Sequence, residues 1–402
     1  MRADAAAFCT MIACALLGAM APARADTSAD AWARVVETFH HRVQEAGIVG
    51  SSLLFVRDGA VAGTAVDGFQ QLDTKRAVDD RTIFHWASIT KTMTGIAILQ
   101  LRDRGLLSLD DPAVRYVPEL RLAHNPYGDI SQVTIRQLMS HSAGFRAPTW
   151  PWGGDQAWHP FEPTRWDQIV AMLPYTELLF KPGSRYSYSN PGVIFLGRII
   201  EQLSNDDYEV YVAKNIFMPL GMTNSFFDRA PYHLVDHRSH SYVRGDDGLH
   251  EERFDFDTGI TVSNGGLNAP LGDMAKYLAF LIGSGDAPTR ALYDGILKRS
   301  SISEMFTPQI RAADGEGGSG DDVQAGLSSF IERHHGVELV GHSGDQNGFI
   351  SHLYIHQPSR SGYLVSFNTN AMSARDPQRT TRAVDNDVRD TIIREMWSGG
   401  GR

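Results

Sequence analysis

Ser88-Ile89-Thr90-Lys91 sets a hydroxyl and an amine three residues apart, in a chain with only six lysines among its 37 basic residues. Phe84, Trp86 and Ala87 precede the pair, and Met93, Ile96, Ala97 and Leu101 follow at helical spacing. That pattern places Ser88 at a helix N-terminus, where free N–H groups and the macrodipole favour developing negative charge. Lys91 then lies on the same face, within reach of the serine oxygen. A serine hydroxyl is a poor nucleophile until a neighbour takes its proton, and a partly desolvated lysine can be neutral enough to do so. The plain alternative is a surface serine capping a helix, with Lys91 solvated.

Tyr188-Ser189-Asn190 follows a stretch rich in turn residues, Lys181-Pro182-Gly183-Ser184, and precedes a helix expected over 193–203. Polar residues on a loop tip can point into a cleft. A tyrosine beside a cationic lysine can have a lowered pKa and shuttle protons, and Asn190 offers an amide both a donor and an acceptor. His342-Ser343-Gly344 ends an apolar strand expected over 337–341. His334-His335-Gly336 has the same form but falls at a hairpin turn, so His342 is preferred. A glycine on an edge strand admits a substrate backbone closely.

The elements that must hold these groups come from both ends of the chain. Trp32, Val35, Val36, Phe39 and Val43 predict an amphipathic helix capped by Ser28 or Asp30. Strands are expected at 51–56 and 60–66, joined at Arg57-Asp58-Gly59, and again at 326–332, 337–341, 350–355 and 362–367. Val384, Val388, Ile392 and Met396 mark a last helix. The fold class is α/β: one antiparallel sheet built from both termini, covered by the terminal helices, with a large, mainly helical inserted region. The domains expected are 26–85 plus 323–402 for the α/β region and 86–322 for the helical one. The glycine-rich 311–322 reads as a connection, since no strand leads into it and no lysine follows.

Residues 1–25 read as a secretory signal: Arg2, an apolar run over 5–20, and Ala23-Arg24-Ala25 before a cut ahead of Asp26. The expected location is therefore periplasmic or extracellular. Both cysteines, Cys9 and Cys14, fall inside that segment, leaving no thiol for a disulfide, a zinc site or a nucleophile. The composition, 42% hydrophobic and 21% charged, is that of a globular chain, and a net charge of −10 argues against nucleic-acid binding. No later stretch is apolar for long enough to span a bilayer.

In this order the three motifs resemble the serine β-lactamase and DD-peptidase superfamily. The nearer branch holds class C β-lactamases, serine DD-carboxypeptidases, D-aminopeptidases and related esterases. Segments 105–112, 138–145, 219–223 and 265–267 carry further similarity, so the resemblance covers nearly all of the chain beyond the signal. It implies Ser88 as acylated nucleophile, Lys91 as its proton partner and Tyr188 as the second acid–base group. Asn190 would bind a substrate amide. His342, Ser343 and Gly344 would form the strand against which substrate aligns, and the N–H groups of Ser88 and Asp345 would make the oxyanion hole. No cofactor or metal is implied. The partner is a small-molecule or short-peptide substrate.

The third motif is His-Ser-Gly where β-lactamases carry Lys-Thr-Gly, which favours peptidase or esterase action over lactam hydrolysis. Asp345 and Asn347 stand where small residues are usual, and a carboxylate at the cleft mouth would repel an anionic substrate end. The rival readings are a true β-lactamase and a penicillin-binding sensor without turnover. Trp150 and Trp152, in a tryptophan-rich stretch, are candidate substrate contacts. His141 reads as a structural histidine. His233, His237 and His240 have a metal-like rhythm but no acidic partner in the sequence nearby, and read as surface or packing groups.

Overall fold

A computed structural model describes residues 24–149, 163–252, 257–312, 320–373 and 375–398. The segment expected to be a signal, apart from its last two residues, lies outside this range, as do Trp150 and Trp152. The first helix, α1 (Arg24–Ala46), runs straight through Ser28 and Asp30 and is not capped by either. Its Val35, Phe39 and Val43 form one buried stripe.

Nine strands make an antiparallel sheet. They are β1 (Gly50–Arg57), β2 (Ala60–Gln71), β3 (Arg76–Ala77), β4 (Ile310–Arg311), β5 (Asp322–Ala325), β6 (Phe330–His334), β7 (Val337–Gln346), β8 (Phe349–His356) and β9 (Ser361–Phe367). Their order is β3-β2-β1-β9-β8-β7-β6-β5-β4, so the first and last segments of the chain meet at β1 and β9. Three hairpins turn through pairs of residues with positive φ: Asp58-Gly59, His335-Gly336 and Asn347-Gly348. Such turns match the right-handed twist of the strands, and they explain Asn347 as a turn residue. Ser351 pairs with Ser366 in the middle of β8, while β7 extends past Gly341 by five residues that β6 does not reach.

The two faces bury different partners. One packs Leu53, Phe55, Tyr354, Tyr363 and Val365 under α1 and the last long helix, whose Val384, Val388 and Ile392 close the layer. The other packs Leu54, Val56, Leu353, Ile355 and Leu364 against the helical region. There α2 (Thr90–Asp103), α3 (Asn190–Ser204), α4 (Leu271–Ile282) and shorter helices accompany two small three-stranded sheets. The last long helix is α5 (Thr381–Ile392).

Residues 90–101 of α2 are all buried. A helix surrounded by protein must satisfy its polar side chains internally. Thr92 Oγ1 does so with Ile89 O at 2.8 Å and Tyr277 Oη at 2.7 Å, and Thr94 Oγ1 with Ser263 O at 2.6 Å. No helix among the described residues is long and apolar enough to cross a membrane.

Candidate active site

Between β-structure at Ile83–His85 and α2 the chain makes one tight 3-10 turn, Ala87–Ile89. Ala87 takes φ +47°, a left-handed conformation unfavourable for a residue with a Cβ. The turn is held against β7, where a Cβ on Gly344 would lie 2.3 Å from Trp86 O. The approach of the nucleophile turn by itself therefore demands glycine at 344. Ser351 Oγ donates to the same carbonyl at 3.2 Å. From Thr82 to Leu101, Ser88 is the one residue that is not buried. The turn lifts a single hydroxyl out of an otherwise closed layer.

Lys91 Nζ lies 2.9 Å from Ser88 Oγ and donates to Asn264 O at 2.7 Å. No carboxylate among the described residues pairs with it, and burial drives its pKa well below the usual lysine range. A neutral amine keeps a lone pair that can take the serine proton. Tyr188 Oη donates to Ser88 Oγ at 3.0 Å, and the Lys91 Nζ stands 5.0 Å from the centre of its ring. The expectation of a lowered tyrosine pKa is overturned. Burial raises it, and a neutral lysine supplies no cation to oppose that. The tyrosine is a proton donor with its proton in place.

Tyr188 is positioned from two sides. Ser189 caps α3 by accepting the Gly192 N–H at 3.0 Å, which fixes where the chain leaves the helix. His141, buried and at φ +54°, accepts the Ser189 N–H on Nδ1 at 3.1 Å. Its ring lies 4.4 Å from the Tyr188 ring at 30°. The histidine serves the loop and makes no contact with Ser88. Asn190 is the first residue of α3 instead of a loop tip, and its Oδ1 is buried with no hydrogen-bond partner. An unmatched amide end two residues from Tyr188 is spare capacity for a ligand.

His342 is 1% exposed, with ring centres 5.0 Å from Phe330 and 6.4 Å from Tyr188. Its Nδ1 donates to Ser343 O at 2.6 Å, leaving Nε2 buried without a partner. Burial is the chief cause that pushes its pKa down to about 3. The ring is neutral, as expected, but lies behind Tyr188 and not at the cleft surface.

Strand alternation separates the rest of the motif. His342, Gly344 and Gln346 face the nucleophile turn, while Ser343 and Asp345 face α5. The Asp345 carboxylate pairs with Arg382 of α5. Burial raises its pKa and Arg382 draws it partly back. The expected repulsion of anionic substrates at the cleft mouth is thus corrected: this charge is matched and points to the opposite face. What Ser343 and Asp345 share with the site is their backbone, on a strand edge left open beyond β6.

Sequence reasoning missed three contributors. Asn264 acts through its carbonyl, which carries no side-chain signal. His85 and Gln346 are joined by a hydrogen bond of 3.1 Å beside the turn, and only the fold brings them together. Away from the site, Trp166 donates to Glu119 at 3.1 Å and packs on Phe195, so this member of the tryptophan-rich stretch is a partly buried residue against the core. His240 does have an acidic partner, Glu251 at 2.7 Å, contrary to expectation; β-pairing supplied it from eleven residues on.

The sequence profile of the Beta-lactamase family matches residues 35–386. Protein flp of Staphylococcus aureus (strain COL) is 30% identical over 203 residues, which are 50% of this chain and 40% of flp. Beta-lactamase-like protein 4 of Dictyostelium discoideum is 27% identical over 302 residues, 72% of this chain and 51% of that protein. The chain spans about half the length, or less, of these curated relatives. Among solved structures, the octameric penicillin-binding protein homologue from Pyrococcus abyssi superposes with TM-score 0.71 at 27% identity, over 84% of this chain and 73% of its own. The D-amino acid amidase from Ochrobactrum anthropi SV3 gives 0.71 at 20% identity, covering 91% and 98%. A class C beta-lactamase gives 0.71 at 16%, covering 93% and 98%. At such identities the last two show a shared fold.

Proposed function

The chain belongs to the beta-lactamase family, and from that premise we propose a serine hydrolase that acts through an acyl-serine intermediate on a small amide, D-peptide or ester. The observation that carries the reading is the arrangement around Ser88 Oγ: a desolvated amine at 2.9 Å, a phenol at 3.0 Å, and a partly exposed serine in an otherwise buried stretch from Thr82 to Leu101. Lys91 Nζ takes the hydroxyl proton as Oγ bonds to the substrate carbonyl carbon. The carbonyl π electrons move to oxygen, and the backbone N–H groups of Ser88 and Asp345 are the donors assigned to that oxyanion. Tyr188 gives its proton to the departing nitrogen or oxygen, and the bond to the leaving group breaks. The oxyanion electrons re-form the carbonyl as that bond breaks, Lys91 passes the proton it took to the Tyr188 oxygen, and water then repeats the sequence on the acyl-serine with Ser88 Oγ as the leaving group.

Amide or ester turnover is favoured over β-lactam turnover because the third motif offers a neutral, buried imidazole. A protonated lysine there would hold the penicillin carboxylate, and a charge-assisted contact is worth about 1.5–3 kcal/mol. The first 25 residues are taken as an export signal, so protein recovered from the periplasm or medium should begin at Asp26. The decisive test is intact-mass spectrometry after a fluorophosphonate. One adduct on wild type and none on Ser88→Ala supports the reading. No adduct on either ends it.

A further inference from the structure

Gln346 is the last residue of β7, on the same face as His342 and Gly344, within the part of the strand that β6 leaves unpaired. It is half-buried, and the Cα of Gly265 presses on its amide closely enough that a Cβ there would lie 2.6 Å from Oε1. That glycine follows Asn264, whose carbonyl binds Lys91. Gln346 therefore borders the cleft on the side of the strand edge. Its side-chain amide is hydrogen-bonded to His85.

The proton on His85 can be located from its neighbours. Asn268 Nδ2 donates to Gly266 O at 3.1 Å and to Asp228 O at 3.5 Å. That fixes Asn268 Oδ1 as the atom 3.2 Å from His85 Nδ1, so Nδ1 carries a hydrogen. His85 is 1% exposed and burial pushes its pKa down to about 4, so at neutral pH the ring has one N–H. Nε2 is then a bare lone pair. A carbonyl oxygen cannot face a lone pair, so the Gln346 amide must present its NH2 to His85 and its oxygen to the cleft. The buried histidine sets which end of the glutamine the cleft meets.

We infer that Gln346, oriented by His85, is a specificity-determining residue whose outward carbonyl accepts an N–H of the substrate's acyl part, so that the cleft selects amine- or amide-bearing acyl groups over plain ones. This rests on Ser88 being the acylated nucleophile. An ammonium or amide N–H beside the scissile carbonyl satisfies an acceptor that is otherwise left to water, whereas a carboxylate there meets oxygen with oxygen. His85 is a positioning residue and touches no substrate.

The test compares alanine p-nitroanilide with propionyl p-nitroanilide, which differ only in the amine. The reading is the concentration of each that halves the rate of fluorophosphonate labelling of Ser88, so discrimination is seen even where turnover is slow. In Gln346→Met the preference for the amine compound should fall about tenfold, and in Gln346→Glu it should hold or rise. His85→Phe frees the amide to rotate and should lower the preference about two- to fivefold. Adding Gln346→Met to His85→Phe should cost no more than Gln346→Met alone, which a merely structural role for His85 would not produce. Labelling of Ser88 with an unchanged preference in Gln346→Met overturns this inference and leaves the hydrolase reading intact. Absence of labelling in wild type removes both.

Discussion

The two faces of the large sheet differ in what their buried ionisable groups meet. Toward α1 and α5 several buried groups meet carboxylates, although Ser51 Oγ and Tyr363 Oη are left without a partner. Tyr354 Oη donates to Glu332 at 2.8 Å, His334 Nε2 lies 2.9 Å from the same carboxylate oxygen, and His352 Nδ1 lies 2.5 Å from Asp385. Toward α2 the groups are desolvated and left short. Lys91 has no carboxylate among the described residues, and His342 Nε2 and Asn190 Oδ1 have no partner. Burying a polar atom without a partner costs about 1–3 kcal/mol, so the unmatched groups around Ser88 are held at a cost in stability. The difference separates structural from chemical polarity within one sheet. Matched groups fix the packing of α5, and unmatched ones hold capacity for a ligand or a proton.

The largest effect expected is in Lys91→Ala, which removes the proton acceptor and should slow fluorophosphonate acylation of Ser88 by ~10³ or more. A loss under tenfold, measured by stopped labelling, would place the base elsewhere. Tyr188→Phe should come next. It keeps the ring against His141 but not the proton, so amide kcat/KM should fall ~10²-fold further than p-nitrophenyl ester kcat/KM, whose phenolate leaves unaided. An equal loss on both would deny Tyr188 the leaving-group role.

Stability measurements sharpen the same contrast from the other side. Glu332→Leu strips the acceptor from Tyr354 and His334 and should cost about 2–4 kcal/mol in urea unfolding. Activity per folded molecule should change less than twofold. Lys91→Met should do the reverse, with a raised Tm and no activity. The sign follows from proton binding. The folded pKa of Lys91 is depressed, so between it and 10.5 the unfolded chain holds the extra proton and stability rises with pH. That rise from neutral to alkaline pH should be present in wild type and reduced in Lys91→Met.

The buried histidines of the site act at the acid end. His85 titrates near 4 when folded and 6.5 when unfolded, so stability is lost as pH falls through that window, by about 3 kcal/mol when complete. His85→Gln should flatten that part of the Tm profile. Asp345→Asn should have the smallest effect. Its charge is paired with Arg382 on the far face, and the ratio of anionic to neutral substrate turnover should shift less than twofold. A larger shift would return the carboxylate to the cleft.

Local pattern made much of this protein legible. Helical spacing after Ser88 and before Met396, alternation in the terminal strands, and the Asp-Gly hairpin each reflect interactions between near neighbours, which a sequence displays directly. The same is true of Ser88 with Lys91, which share a turn of chain. The strand carrying His342 was read five residues too short, since Ser, Gly, Asp and Gln have little strand preference and only pairing with β8 extends it. Which face each of those residues takes, the neutral state of Lys91, the raised pKa of Tyr188 and the carbonyl of Asn264 were decided by tertiary structure. Each depends on how much water is excluded and on which groups, 37 to 173 residues away, arrive to replace it. The sequence by itself determined which atoms can do chemistry. The fold determined their proton inventory, because desolvation and long-range partners set the pKa, and neither is encoded in local spacing.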